Sequence, residues 1–97
     1  MTIEHKINKR EWKNMKIKSI AKNQTEIKTN DKLLVFFSYE MPVCFIDYRN
    51  KGFNTGKTNV FYSQTTIKHI NAFFDRHGYS SKIVEQVSQD IINKLLK

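Results

Sequence analysis

A chain of 97 residues has room for one domain and one modest core, so a multidomain enzyme is excluded. Seven Phe, four Tyr and one Trp are too many for a disordered chain, and no run approaches the ~18 apolar residues of a membrane span. Seventeen Lys and Arg against nine Asp and Glu give a net charge of +8 and a pI near 9.7, which favours an anionic partner, either nucleic acid or an acidic protein face.

The first third carries most of the excess charge, with nine basic and four acidic residues before Leu33. Residues 1–14 read as a frayed or short helical start. Met15-Lys16-Ile17-Lys18 alternates apolar and basic residues, which predicts a half-buried strand near 15–21. Gln24–Lys28 reads as a second short strand, and Asn30-Asp31 as a turn. Lys32–Tyr39 (K-L-L-V-F-F-S-Y) is the strongest strand in the chain. Pro42 breaks it, and Val43–Tyr48 should return as its hairpin partner.

Arg49–Thr58 has two Gly, two Asn and Phe53 as its one large apolar residue, which predicts a loop. Asn59–Tyr62 reads as a further short strand. A helix is expected from Gln64 to His77, capped by Ser63 or Thr65 and stopped at Gly78, with Ile67, Ile70, Phe73 and Phe74 on its inner face. A second helix should restart at Ser80-Ser81 and run to Leu96 on Val84, Val87, Ile91 and Leu95. The expected fold class is α+β: a small antiparallel sheet of three to five strands packed against two C-terminal helices, in a single domain spanning residues 1–97.

One stretch invites a nucleotide-site reading. Gly52-Phe53-Asn54-Thr55-Gly56-Lys57-Thr58 looks like a phosphate-binding loop but is one residue short. It also leads into the strand-like V-F-Y and not into a helix whose amides could face phosphates, so a hairpin loop using Gly for positive φ is the better reading. Cys44 lies in an apolar run and reads as a small buried residue. Its pairing with His69 as nucleophile and base has no third group to orient it. His5, His69 and His77 are too widely spaced for a structural zinc site, so neither metal nor cofactor is expected. Ser63, Thr65 and Thr66 with Lys68 and His69 could bind an anion at a helix start, but capping of the helix by Ser63 or Thr65 is the favoured reading, with Lys68 and His69 on its wet face.

Lys32–Tyr39 is apolar on both faces. Either it is a central strand covered twice, or one face is a binding surface; two neighbouring helices cover only one face well, so the other is expected to be closed by the N-terminal segment or by a partner, such as a second copy of the chain. Its aromatics, with Phe45, Tyr48, Phe61 and Tyr62, could otherwise stack single-stranded bases.

Two blocks resemble a known family. Tyr62-Ser63-Gln64-Thr65-Thr66-Ile67-Lys68-His69-Ile70-Asn71 and, upstream, Ser38-Tyr39-Glu40-Met41-Pro42-Val43 are similar to the Y-S-x-T-T-x-[KR]-H-I-N and S-Y-x-x-P-V segments of a family of small uncharacterised proteins of bacteriophages and mobile elements. The similarity covers about Leu33–Phe74, and the loop here is longer and more basic. It implies a phage-like or plasmid-like origin.

Together these features predict a non-enzymatic cytoplasmic protein that binds nucleic acid or a nucleic-acid-processing complex. The single cysteine and the absence of a signal-type apolar core in Met1–Lys6 favour the cytoplasm. Phosphate or partner contacts are expected from the N-terminal Lys6, Lys9, Arg10, Lys13, Lys16 and Lys18, from the loop residues Arg49, Lys51 and Lys57, and from Lys68 and His69 on the helix. The alternative is an anti-CRISPR-like inhibitor that docks on a host defence enzyme without binding free nucleic acid.

Overall fold

The computed structural model describes residues 15–29, 32–49 and 54–96. One sheet of six strands runs in sequence order: β1 (Lys16–Ala21), β2 (Gln24–Lys28), β3 (Leu33–Ser38), β4 (Met41–Asp47), β5 (Asn54–Thr58) and β6 (Gln86–Val87). The first five pair as antiparallel neighbours, whereas β5 and β6 are parallel, so the sheet is mixed. Helix α1 (Gln64–Arg76) and the short helix α2 (Gln89–Asn93) follow the fifth strand, with a 3-10 turn at Ser81–Ile83 between them. The fold is α+β, with six strands in place of three to five. Among the described residues no helix is long and apolar enough to cross a membrane.

β3 explains the layering. All six of its residues are buried. Alternation sends Leu34 and Phe36 to one face, where they join Val43, Cys44 and Ile46 of β4 and Ile70, Phe73 and Phe74 of α1. It sends Leu33, Val35 and Phe37 to the other face, with Ile27, Phe45, Ile92 and Leu96. The strand is central and covered twice. The two helices therefore lie on opposite faces, not side by side on one. Phe36, Phe37 and Phe45 are each 7% exposed or less and belong to the core, whereas Tyr39, Tyr48, Phe61 and Tyr62 stay exposed.

Val43 is the extra residue of a bulge, since Phe36 faces Cys44 while Phe37 faces Pro42. The bulge turns both Val43 and Cys44 toward α1. Burial pushes the Cys44 thiol well above its ordinary value, so it is an inert core group.

Two predicted elements are corrected. The segment read as a loop contains β5, and Asn59–Tyr62 is an irregular connector with Val60, Phe61 and Tyr62 exposed. β5 escaped notice because N-T-G-K-T carries no large apolar residue. It needs none, because Gly56 sits opposite Phe45 and the ring fills the space a side chain would take. Gly56 is thus a packing residue and not a positive-φ turn residue; among the described glycines only Gly78 has positive φ.

The long helix expected to Leu96 is also broken. Val84 is extended, and the outer edge of β5 recruits the next residues as β6 through Lys57 N–H to Glu85 O (3.0 Å) and Asn59 N–H to Val87 O (2.9 Å). Ser88 then restarts α2, its Oγ accepting from Ile91 N–H. This excursion carries the chain around the sheet edge, so that Val84 packs with α1 while Ile92 and Leu96 pack on the far face.

α1 ends at Arg76 in a Schellman arrangement. Tyr79 N–H donates to Phe74 O (2.9 Å) and Gly78 N–H to Asp75 O (3.2 Å), with Gly78 at φ 82°. At its start Ser63 is the cap, its Oγ accepting from Thr66 N–H at 3.0 Å.

A Cβ on Gly56 would lie 2.5 Å from the Phe45 ring. Gly56→Ala should therefore cost about 1–3 kcal/mol, read as a lower urea midpoint at unchanged m-value. A loss below about 0.5 kcal/mol would show that the Phe45 ring yields freely and that β5 does not depend on this glycine.

Candidate nucleic-acid interface

Two polar clusters fix α1 to the sheet, one at each end. At the start, Ser38 Oγ at the end of β3 lies 2.8 Å from His69 Nδ1 and 3.1 Å from Thr66 Oγ1, and Ser63 Oγ donates to Thr66 Oγ1 at 3.2 Å. These residues come from the two separate blocks, S-Y-x-x-P-V and Y-S-x-T-T-x-K-H-I-N, and the fold brings them together. Thr66 is buried where the sequence placed Ile67, which stays 38% exposed, because Thr66 must reach Ser38. A serine hydroxyl against an imidazole is the geometry of a nucleophile and its base. Ser38, however, is 2% exposed and already bonded to Thr66, so its oxygen has no open side for a substrate. The Ser63 and Thr66 hydroxyls are spent on each other and on Ser38, and His69 is spent on Ser38, while Thr65 and Lys68 stay exposed.

At the other end, Glu26 of β2 is 6% exposed and carries two partners. Arg76 Nη2 reaches Oε2 at 2.9 Å and His77 Nε2 reaches Oε1 at 3.1 Å. The Arg76 guanidinium also lies 5.7 Å from the centre of the Phe36 ring, and Phe36 stacks on Phe73 at 5.0 Å. The carboxylate is buried but doubly matched, so breaking it would leave an uncompensated charge.

α1 stops at this cluster, and among the described residues no helix covers the same face of β1 and β2 beyond it. An open groove of about 690 Å³ remains there, with Lys16, Lys18, Lys28 and Lys32 on its sides. The strand register explains the grouping. Lys16 pairs directly with Lys28, and Lys18 with Glu26, in successive cross-strand rows on one face. Lys32 follows the β2–β3 turn at φ 69°. None of these four lysines has an ion-pair partner among the described residues. Leu34 forms the floor, and Tyr48 and His77 contribute the walls. Burial and a hydrogen bond to Tyr79 push the Tyr48 hydroxyl up to about 12, so it stays protonated.

The expected contact residues therefore separate. Lys16 and Lys18 meet in the groove, joined by Lys28 and Lys32, which the sequence reading passed over. The signal for those two was a basic residue on each side of the Asn30-Asp31 turn signal. Arg49 lies at the same end of the sheet but is held on Asp47, with Nε to Oδ1 and Nη2 to Oδ2 both at 2.9 Å, and its guanidinium keeps the Asp47 carboxyl below the ordinary range. Lys57 is four strands from β1, about 19 Å at ~4.8 Å per strand. Its Nζ donates to Ser81 O at 2.7 Å and anchors the 3-10 turn. Lys68 and His69 lie on α1, away from the groove-lining residues. Lys6, Lys9, Arg10, Lys13 and Lys51 lie outside the described residues.

Burial lowers the His69 imidazole from its ordinary 6.5. The folded chain holds it neutral at pH values where the unfolded chain protonates it. Its contribution is complete above about pH 6.5 and is lost as pH falls through the interval beneath. The Asp47 carboxyl, whose ordinary value is 3.8, acts only at more acid pH. Urea midpoints should fall between about pH 7.5 and about pH 5.5, and His69→Asn should flatten that fall. An unchanged slope in the variant would show that His69 is not the group responsible.

No curated protein and no solved structure gives a significant match to this chain. A family model does match it over residues 15–94, from the residue before β1 to the residue after α2, a longer span than the 33–74 region of the motif resemblance. With the whole sheet and both helices inside that match, the chain belongs to the family of unknown function DUF8033.

Proposed function

We propose that this is a non-enzymatic nucleic-acid-binding accessory protein, of bacteriophage or mobile-element origin and acting in the host cytoplasm, whose phosphate contacts centre on the lysine groove. The observation that carries this reading is the direct cross-strand pairing of Lys16 with Lys28, flanked by Lys18 and Lys32. Like charges placed opposite each other destabilise a sheet, and an anion between them reverses the sign. The origin rests on the two sequence blocks that resemble phage and mobile-element proteins. The absence of a catalytic role is supported by the burial of the two candidate nucleophiles, Ser38 at 2% and Cys44 at 0% exposure.

A second reading has its own observation. Val60, Tyr62 and Ile67 are about 40% exposed and Phe61 is 65% exposed, and they edge one shallow groove beside Lys57. Such a patch suits protein docking. It favours the anti-CRISPR-like inhibitor, or self-association as a homodimer. That reading requires a stoichiometric complex that survives nuclease treatment and is lost in Phe61→Ser.

Four phosphate contacts predict a log–log salt slope of about −2.8 to −3.6, so affinity for nucleic acid should fall roughly 50- to 150-fold between about 50 mM and about 200 mM salt. Each of Lys16→Ala and Lys28→Ala should reduce the slope by about 1, while Lys68→Ala should leave it unchanged. Fluorescence anisotropy with labelled DNA and RNA measures both quantities. Binding to neither polymer, or binding indifferent to salt, would overturn the proposal.

A further inference from the structure

We infer that the lysine groove takes single-stranded nucleic acid, with one unpaired base seated against Leu34, Tyr48 and His77 and the flanking phosphates on the lysines. This rests on the nucleic-acid reading above and narrows it to a strand state. The argument is one of shape and chemistry. A duplex presents its phosphates on a convex surface and keeps its bases stacked inside. It can touch a lysine rim but cannot fill a concavity behind it. Here the concavity is about 690 Å³, within the range of sites that enclose a small organic ligand. Its floor is Leu34, an apolar side chain with no use for a phosphate. Only a base turned out of a stack offers an apolar face to that floor together with a charged backbone for the rim.

The walls are fixed in advance. His77 Nε2 is held by Glu26 Oε1 at 3.1 Å, and its ring lies 4.9 Å from the Phe73 ring, so its orientation is set by α1 and β2. Tyr48 follows β4, its backbone N–H donating to Lys32 O at 3.0 Å, which couples the aromatic wall to the last lysine of the rim. Glu26 lines the groove as well, but its charge is matched by Arg76 and His77 and does not oppose a phosphate at full strength. Along β1, Lys16 and Lys18 are two residues apart on one face, about 6.6 Å at ~3.3 Å per residue. That spacing matches neighbouring phosphates along one strand, so the row can follow a backbone, and the choice of strand state rests on the concavity behind it.

The test is anisotropy at fixed low salt with three labelled probes: a 12-nucleotide mixed-sequence single strand, the same strand in a duplex, and a 12-unit abasic strand of the same charge. The full single strand should bind at least tenfold more tightly than either of the other two. Tyr48→Ala should weaken the single strand fivefold or more while leaving the abasic strand unchanged. Lys16→Glu, on the exposed edge strand, should weaken all three, and thermal melts should establish that both variants are folded. If the duplex or the abasic strand binds as tightly as the single strand, the inference falls and the nucleic-acid reading stands. If none of the three binds, both fall.

Discussion

The architecture depends on a strand with no polar face. β3 presents Leu33, Val35 and Phe37 to one side and Leu34 and Phe36 to the other, and water must be kept from both. Burying side chains of this size is worth about 1.5–3 kcal/mol each, so either face left bare would cost a large part of the stability of a domain this small. One helix cannot serve both faces. α1 covers the first, and the C-terminal segment must pass round the sheet edge to cover the second. β6 is the device for that passage. It satisfies the outer amides of β5 and delivers Ile92 and Leu96 to Val35 and Phe37.

α1 covers only part of the first face, and the groove lies where it stops. α1 is thirteen residues long and is anchored at both ends by polar contacts to the sheet, Thr66 and His69 on Ser38 and Arg76 and His77 on Glu26. Both contacts lie on β2 and β3, so the helix cannot slide outward over β1. The sheet beyond it carries lysines in place of a core. At the outer edge those lysines also hinder strand addition by another chain, because a row of like charges repels a partner strand. The lysines that would repel a partner strand are thus the ones on which the proposed phosphate contacts rest.

The charge of the chain is therefore not spread evenly in its effect. Arg49 and Arg76 are bound to carboxylates, and Lys57 is bound to a backbone carbonyl. Lys16, Lys18, Lys28 and Lys32 share one concave face with no ion-pair partner among the described residues. Net charge speaks to non-specific attraction, whereas this placement of four cations over an apolar floor gives the attraction a location.

Much of the fold was legible in the residues themselves. β3, β4 and α1 carry strong local signals: continuous apolar runs, a serine cap at Ser63, and a glycine at Gly78 placed to end the helix. Periodicity also required β3 to be covered on both faces or left to a partner. Three things were decided only by tertiary structure. β5 forms from N-T-G-K-T because Phe45 needs a neighbour without a side chain, which no local pattern of that segment encodes. The segment from Val84 to Leu96 has helical spacing, yet it yields β6 and a short helix because unpaired amides on β5 outweigh local propensity. Lys16, Lys18, Lys28 and Lys32 line one groove because antiparallel pairing sets the first beside the third and α1 ends short of that corner. Sequence fixes which residues carry charge, but their distances across strands follow from register, and register is set by the burial of β3.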